Sequence, residues 1–395
     1  WLSFAKLRLS YAEVGQAGNY VNNYFTSPNY SGGWWTGSPV VYPIGGVNSY
    51  VPNNIQYDPG LVPQNTKSYE AGLELKFLQN RFGIDYTFSR QNVEDQIFAV
   101  PLAGSTGIRS MLMNGGKVHT TSHEVVLYVS PVVSKNFQWD LNFNYSKIDN
   151  YVDALAPGVE SIFIGGFDTP QVRANIGDTY PVIYGESFLR NEEGKVVVDD
   201  NPASPNYGFP LTGGPAVIGR VSPDFILGGG TTLTYRRWSL NALLEWKQGG
   251  KMYSGSIGLL DYYGLSERTE DRESTFIYDG VKSDGTPNDI ARGGPNDPLA
   301  LQSLHTNVLT NIDEYYIFDN SFVKLREVAL NYKPARLFNK MDVGVSVFAR
   351  NILLWTALPN LDPESSQGNT NMAGSFERFT LPQVSSFGFN IDLTF

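Results

Sequence analysis

The chain has 395 residues and carries 39 Asp+Glu against 29 Lys+Arg, a net charge of -10 that is wrong for a protein tracking a phosphate backbone. It has no cysteine, which excludes disulfide frameworks, thiolate zinc sites and cysteine nucleophiles, and no window approaches the ~20 consecutive apolar residues of a membrane helix. Aromatics reach 13% and glycines number 40, whereas charged residues are 17% against ~25% in a typical soluble domain; this mixture suits pleated strands joined by turns.

Taken in chain order, the sequence predicts strands near 2–13, 67–79, 81–92, 116–130, 136–149, 219–236, 237–258, 314–334, 340–352 and 384–395. Trp1-Leu2-Ser3-Phe4 reads as the middle of a strand, so the chain is expected to be a fragment of something longer. Period two dominates. Phe82, Ile84, Tyr86 and Phe88 alternate with Gly83, Asp85, Thr87 and Ser89. Trp139, Leu141, Phe143 and Tyr145 alternate with Asp140, Asn142, Asn144 and Ser146. Trp238, Leu240, Ala242, Leu244 and Trp246 form another such row. So do Met341, Val343, Val345, Val347 and Ala349, which alternate with Asp342, Gly344, Ser346, Phe348 and Arg350. The last is Phe387, Phe389, Ile391, Leu393 and Phe395, opposite Gly388, Asn390, Asp392 and Thr394.

These segments run on the order of 10–14 residues, whereas soluble strands average ~5–6 and a tilted bilayer-crossing strand needs ~9–11. Aromatics at segment ends fit interfacial girdles. A large soluble β-sandwich or β-helix would also alternate, but its strands are shorter. The links at 79–81, 131–135, 236–237 and 335–339 are tight. Those at 14–66, 93–115, 150–218, 259–313 and 353–383 are long and rich in Gly, Pro, Asn and Asp. Short turns on one side and long loops on the other are the habit of outer-membrane barrels. The stretch Tyr184–Asp200 is expected to fold within its own loop, and Gly228-Gly229-Gly230 to mark a bend or bulge.

Chemistry-bearing constellations are few. His119 and His123 have helical metal spacing, but on a strand they lie ~13 Å apart, too far to share an ion. No Gly-x-Ser-x-Gly elbow accompanies the three histidines, so no hydrolase and no enzyme is expected. Gly249-Gly250-Lys251-Met252 fails as a phosphate loop. Asp279–Gly285 spaces oxygen ligands as a calcium loop might, yet it lacks the closing Glu, so a turn-rich loop and no cofactor are expected. The mixed-sign run Glu267–Glu273 places Arg268 and Arg272 on a solvated or partner-facing loop. Trp34 and Trp35 crowd with Tyr24, Phe25, Tyr30, Tyr42 and Tyr50 into one polar loop. They serve there in recognition, or they pack the loop on itself or sit in the girdle.

Several segments resemble the SusC/RagA family of TonB-linked outer-membrane transporters from Bacteroidetes-type bacteria. They are Lys6–Tyr11 with Gly15-Gln16 and Gly18-Asn19; Asn65–Glu74; Asp279–Val281 with Asp284–Asn288; Phe322–Val328 with Leu330–Tyr332; Arg350–Thr356 with Leu361–Glu364; and the closing Pro382–Phe395. The resemblance spans nearly the whole chain in order. It implies an all-β, transmembrane antiparallel barrel of about 22 strands, of which this chain would supply roughly the last ten. The plug domain, the TonB box and any signal peptide would lie elsewhere.

The resemblance further implies active import of an oligomeric glycan or peptide and a SusD-like lipoprotein as a lid over extracellular loops. The TonB-ExbB-ExbD complex would act through a missing N-terminal region. Lipid and the barrel-assembly machinery complete the partners, and no nucleic acid is among them. Lid or substrate contacts would fall on Trp34, Trp35, Tyr30, Tyr42, Tyr50, Arg268 and Arg272, and the terminal assembly signal on Phe387, Phe389, Ile391, Leu393 and Phe395. The residues alone leave a passive porin or structural barrel equally open.

Overall fold

The computed structural model describes residues 1–16, 31–35, 38–41, 43–48, 55–334, 341–367 and 374–394. Ten strands form one antiparallel path in sequence order: β1 (Leu2–Gln16), β2 (Gln64–Phe77), β3 (Phe82–Pro101), β4 (Ser110–Val133), β5 (Phe137–Ala154), β6 (Phe225–Tyr235), β7 (Trp238–Gln248), β8 (Phe322–Tyr332), β9 (Asp342–Thr356) and β10 (Ser386–Thr394). Ile55–Tyr57 adds a short parallel strand beside Ser110–Leu112. Among the described residues no ladder joins β1 to β10, so the wall is an open sheet.

Every tight link that lies among the described residues is a turn. Leu78, Gln79 and Asn80 all take left-handed φ between Phe77 and its partner Phe82. Arg236 does the same in the two-residue turn between Tyr235 and Trp238. The Ser134 hydroxyl accepts from the Phe137 N–H at 3.1 Å in the turn between β4 and β5. The link between β8 and β9 lies mostly outside the described residues.

Register carries the period-two pattern across the whole wall. Leu7 faces Leu73, Leu73 faces Tyr86, Tyr86 faces Val125 and Val125 faces Tyr145. The row continues through Leu227, Trp246, Val323 and Trp355. Val343, Val345, Val347 and Ala349 pair with Leu393, Ile391, Phe389 and Phe387 on the same face. A one-residue slip would turn every one of these side chains over, so the shared apolar face holds the register.

The opposite face is polar and cross-linked. Arg8 Nη2 donates to Asp85 Oδ1 at 2.5 Å and Arg350 reaches Glu327 at 2.7 Å. Val126, Leu243 and Phe348 are apolar members of that face. Phe348 lies over Gly388, where an added Cβ would sit 2.4 Å from the ring.

Three expectations change. The segment 93–115 is mostly wall: β3 runs on to Pro101 and β4 starts at Ser110, past a bulge at Asp95 with φ 56°. The outer parts of three predicted strands leave the wall instead of lengthening it. Gly219 and Arg220 continue a strand that starts in the preceding loop at Thr212 and joins a four-stranded sheet with Ser161–Gly166, Gln171–Asn175 and Val182–Phe188, while Lys251–Ser254 and Ile317–Asp319 join Phe376–Glu377 in another. Gly228–Gly230 is neither bend nor bulge, because the ladder there is unbroken; at Gly230 a Cβ would lie 2.2 Å from Asn142 Oδ1, so the glycine makes room for a cross-strand side chain.

The apolar cores lie at the long-loop end. One gathers Phe188, Phe209, Leu304, Val308, Leu309 and Ile312; another gathers Val172, Ile183, Val221 and Phe376. A third, around Val152 and Ile162, joins the loops to the extended tips of β3, β4 and β5. Many side chains of the apolar wall face stay exposed, Leu9 and Phe389 by 73% and 74%, and those of the central strand β5 are half-buried. The loops fold as water-soluble structure folds, around their own cores. A wall face left this apolar needs another solvent, which lipid supplies.

Candidate functional site in the folded loops

The return loop after β9 lies against the polar face of the wall. Arg326 is skipped in both ladders of β8, since Leu243 pairs with Glu327 and Leu244 with Leu325, and the β9 ladder shifts at the same place. A bulge re-aims its side chain. The Arg326 guanidinium donates to Glu364 through Nη1 at 2.6 Å and Nη2 at 2.5 Å, and through Nε to Glu245 at 2.9 Å. Lys324, almost wholly buried, donates to Glu364 at 2.6 Å and to Gln383 at 3.1 Å. Burial opposes ionisation of Glu364, but the hydrogen bonds from Arg326 and Lys324 outweigh it and hold the carboxyl below its usual range. The loop is thus fixed to the wall by a bidentate pair supported by a second cation.

Above it, α1 (Gly255–Tyr262) starts where the Ser254 hydroxyl accepts from the Ile257 N–H at 3.2 Å. It ends at Gly264, whose φ of +66° lets the chain turn away. That ending leaves Tyr262 and Tyr263 exposed by 43% and 68%, with rings 5.2 Å apart and nearly perpendicular. Buried Glu377 accepts from Ser254 Oγ at 2.8 Å and Ser256 Oγ at 2.6 Å, tying the return loop to the helix start.

Two cavities meet at this tyrosine pair. The smaller, about 300 Å³, is lined by Asp261, Arg272, Leu299 and His305 besides the tyrosines. The larger, about 520 Å³, is lined by Phe167, Tyr253, Tyr316 and Arg378. Buried Asp261 accepts from Arg268 and from Ser266 Oγ. Arg268 also lies over the Tyr315 ring at 4.9 Å. Burial pushes His305 below its usual pKa, with nearby Asp261 opposing the shift. Burial likewise raises the Asp313 carboxyl and pushes the Tyr253 phenol up to about 12.

Of the residues singled out in the sequence, Arg272 lines one cavity, whereas Arg268 is spent internally on Asp261. Arg272 donates to the backbone carbonyls of Thr269 and Gly264, at 3.1 and 2.6 Å. The backbone of Ser31–Trp35 pairs with Ser38–Val41, which puts Trp34 and Trp35 on a hairpin; Tyr30, Tyr42, Tyr50, Tyr24 and Phe25 lie outside the described residues. Phe387, Phe389, Ile391 and Leu393 form one exposed stripe on β10, and Phe395 lies outside the described residues.

His119 and His123 take separate partners, Asp153 at 2.8 Å and the Tyr86 hydroxyl at 2.9 Å. In the oxygen-rich loop around Asp279–Gly285, Asp284 accepts from Thr286 at 2.6 Å and Lys282 pairs with Asp289 at 2.5 Å, so the carboxylates are engaged in a closed turn. Tyr262, Tyr263, Tyr316, Arg378 and the Arg326–Glu364 pair were missed in the sequence. The doublets Tyr262-Tyr263 and Tyr315-Tyr316 were visible signals, whereas nothing local links Arg326 to Glu364.

No family model matches the chain. It is 23% identical over 360 residues to TonB-dependent receptor P3 of Formosa agariphila, covering 84% of this chain and 34% of the relative. It is 22% identical over 389 residues to TonB-dependent receptor SusC of Bacteroides thetaiotaomicron, covering 93% of this chain and 36% of that protein. The chain therefore spans about a third of the length of the curated relatives it matches. Among solved structures, the RagAB peptide importer in its open-open state superposes with a TM-score of 0.67 at 17% identity, covering 100% of this chain and 40% of that one. In sequence and in fold the chain is thus similar to a β-barrel portion of the SusC/RagA-type TonB-dependent receptors of the Bacteroidetes-type outer membrane.

Proposed function

We propose that this chain forms wall and outer loops of a transporter that imports oligomeric nutrients, glycan or peptide, across the outer membrane. It works together with a SusD-like surface lipoprotein and draws on TonB-ExbB-ExbD through parts of the protein beyond this chain. The observation that carries the reading is the two-faced wall. One face is apolar and uncovered, and the other is polar and overlain by a loop fixed through Arg326 and Glu364. The long-loop end, with its own cores and cavities, is the end we place outside the cell. RagAB is named a peptide importer, and SusC is named a TonB-dependent receptor. We read no bond-breaking chemistry in the chain.

The test is uptake in cells carrying the full-length protein. A fluorescent oligomer should accumulate in the periplasm only with an intact proton gradient and TonB, and only with the lipoprotein present. Uptake that persists with an uncoupler and without TonB would instead identify a passive porin.

A further inference from the structure

Resting on the transporter reading, we propose that the paired cavity around Tyr262 and Tyr263 binds an oligosaccharide whose rings carry carboxylates. The first support is charge. In a chain with 39 acids against 29 bases, four loop arginines find an acid: Arg190 holds Glu314, Arg220 holds Asp149, Arg268 holds Asp261 and Arg292 holds Asp297. Arg272 and Arg378 form no ion pair among the described residues, yet each lines one of the two cavities. Arg378 is the one charged side chain lining the larger cavity, and its guanidinium lies 5.5 Å from the Phe167 ring centre. A free guanidinium edge is matched by a planar carboxylate; Arg378 donates no hydrogen bond among the described residues, whereas Arg272 has Nε and Nη2 on backbone carbonyls and keeps Nη1 for it.

The second support is unmet hydrogen bonding. The Tyr316 hydroxyl and His305 Nδ1 are buried without a hydrogen bond among the described residues, though Asp261 lies 3.6 Å from Nδ1; both residues are only 3% exposed and line the larger and the smaller cavity respectively. A buried polar group left unpaired is costly, so a ligand bringing hydroxyl groups gains there. The third support is shape. Tyr262 and Tyr263 offer two exposed rings at a steep angle, which suit the C–H faces of successive sugar rings. An acidic peptide fits less well, because the lining is built from α1 and loops and offers rings and side-chain hydroxyls, Thr310 among them, in place of an open strand edge for backbone pairing.

The experiment is calorimetric titration of the full-length transporter in detergent, with no energy source, using trigalacturonate as the probe. Its methyl ester and tri-glutamate are the comparison ligands. Trigalacturonate should bind, and the ester about tenfold or more weaker. Arg378→Gln, at an exposed side chain with no ion pair among the described residues, should weaken the acid about 10- to 100-fold and leave the ester nearly unchanged. Arg272→Gln should act alike; Arg272→Lys, which keeps the charge, controls for disturbance of the loop. Tyr262→Ala with Tyr263→Ala should weaken acid and ester together.

Equal affinity for acid and ester, unchanged acid binding in the Arg272→Gln/Arg378→Gln protein, or no binding at all would overturn the proposal. So would tri-glutamate binding tighter than trigalacturonate and losing affinity with Arg378→Gln. Energy-dependent uptake of a neutral oligomer alongside any of these results would leave the transporter reading standing while this inference falls.

Discussion

Arg326 and Glu364 meet through two parallel hydrogen bonds, although one sits on a bulge in the wall and the other in a loop that has already left it. Both side chains are largely buried, exposed by 19% and 23%, so water screens the pair only partly. Lys324 and Glu245 complete a group in which each charge has a counter-charge. Removing one member leaves the others unpaired, which costs more than the pair itself contributes.

Glu364→Gln should therefore release the loop while the barrel stays folded, at a local cost of roughly 1–3 kcal/mol. Hydrogen exchange over residues 357–367 in detergent-purified protein reads this directly. The pH dependence has a definite sign. Glu364 is held below its usual value of about 4.3, so its contribution is complete at neutral pH and is lost as pH falls through the lowered folded value. Loop protection should persist at pH 6 and collapse only in acid, and Glu364→Gln should remove that dependence. Equal protection in both proteins at neutral pH would rule the latch out.

The two faces of the wall predict unequal tolerance of charge. We assign Val343, Val345, Val347, Leu141, Phe143, Phe389 and Ile391 to lipid, and Asp342, Arg350, Asn142, Asn144, Asn390 and Asp392 to the lumen. Val345→Arg should cost ~2–4 kcal/mol in barrel stability and Ser346→Arg close to nothing. Urea unfolding in lipid vesicles measures both, and matching costs would refute the assignment.

Trp34 and Trp35 sit on a hairpin in the long segment between β1 and β2. Replacing both with Ala should lower co-purification of the lipoprotein or capture of the oligomer about tenfold, as loss of aromatic anchors commonly does. Heat-modifiable migration on gels should show a normally folded barrel. Full retention of both partners would remove these residues from the recognition surface.

The stripe Phe387, Phe389, Ile391, Leu393 and Phe395 predicts an assembly defect. β10 pairs only with β9 among the described residues, so its other edge is free to be handed to the assembly machinery or to a further strand. Deleting Phe395 should reduce assembled barrel in membranes far more than loss of one buried ring, ~1.5–3 kcal/mol, would suggest. Normal yield and folding rate after the deletion would dismiss a signalling role.

Strand identity, the two faces and the alternation of tight and long links were legible in the sequence because they are local. Period two needs only neighbours along the chain, and rows such as Val343–Ala349 or Phe387–Leu393 carry it without help. Where the strands stop was decided by tertiary structure. Lys251–Ser254 and Ile317–Asp319 alternate as acceptably as the wall does, but they pair with each other and so serve a loop core. Phe98 and Val100 were expected in a loop, yet with Val118 and Val152 from neighbouring strands they have a core to fill. The meeting of Arg326 with Glu364, and of Arg272, Tyr262 and Arg378 around shared cavities, depends on which loops fold back over which face. That choice is made by cores assembled from residues far apart in the chain, and no periodicity records it.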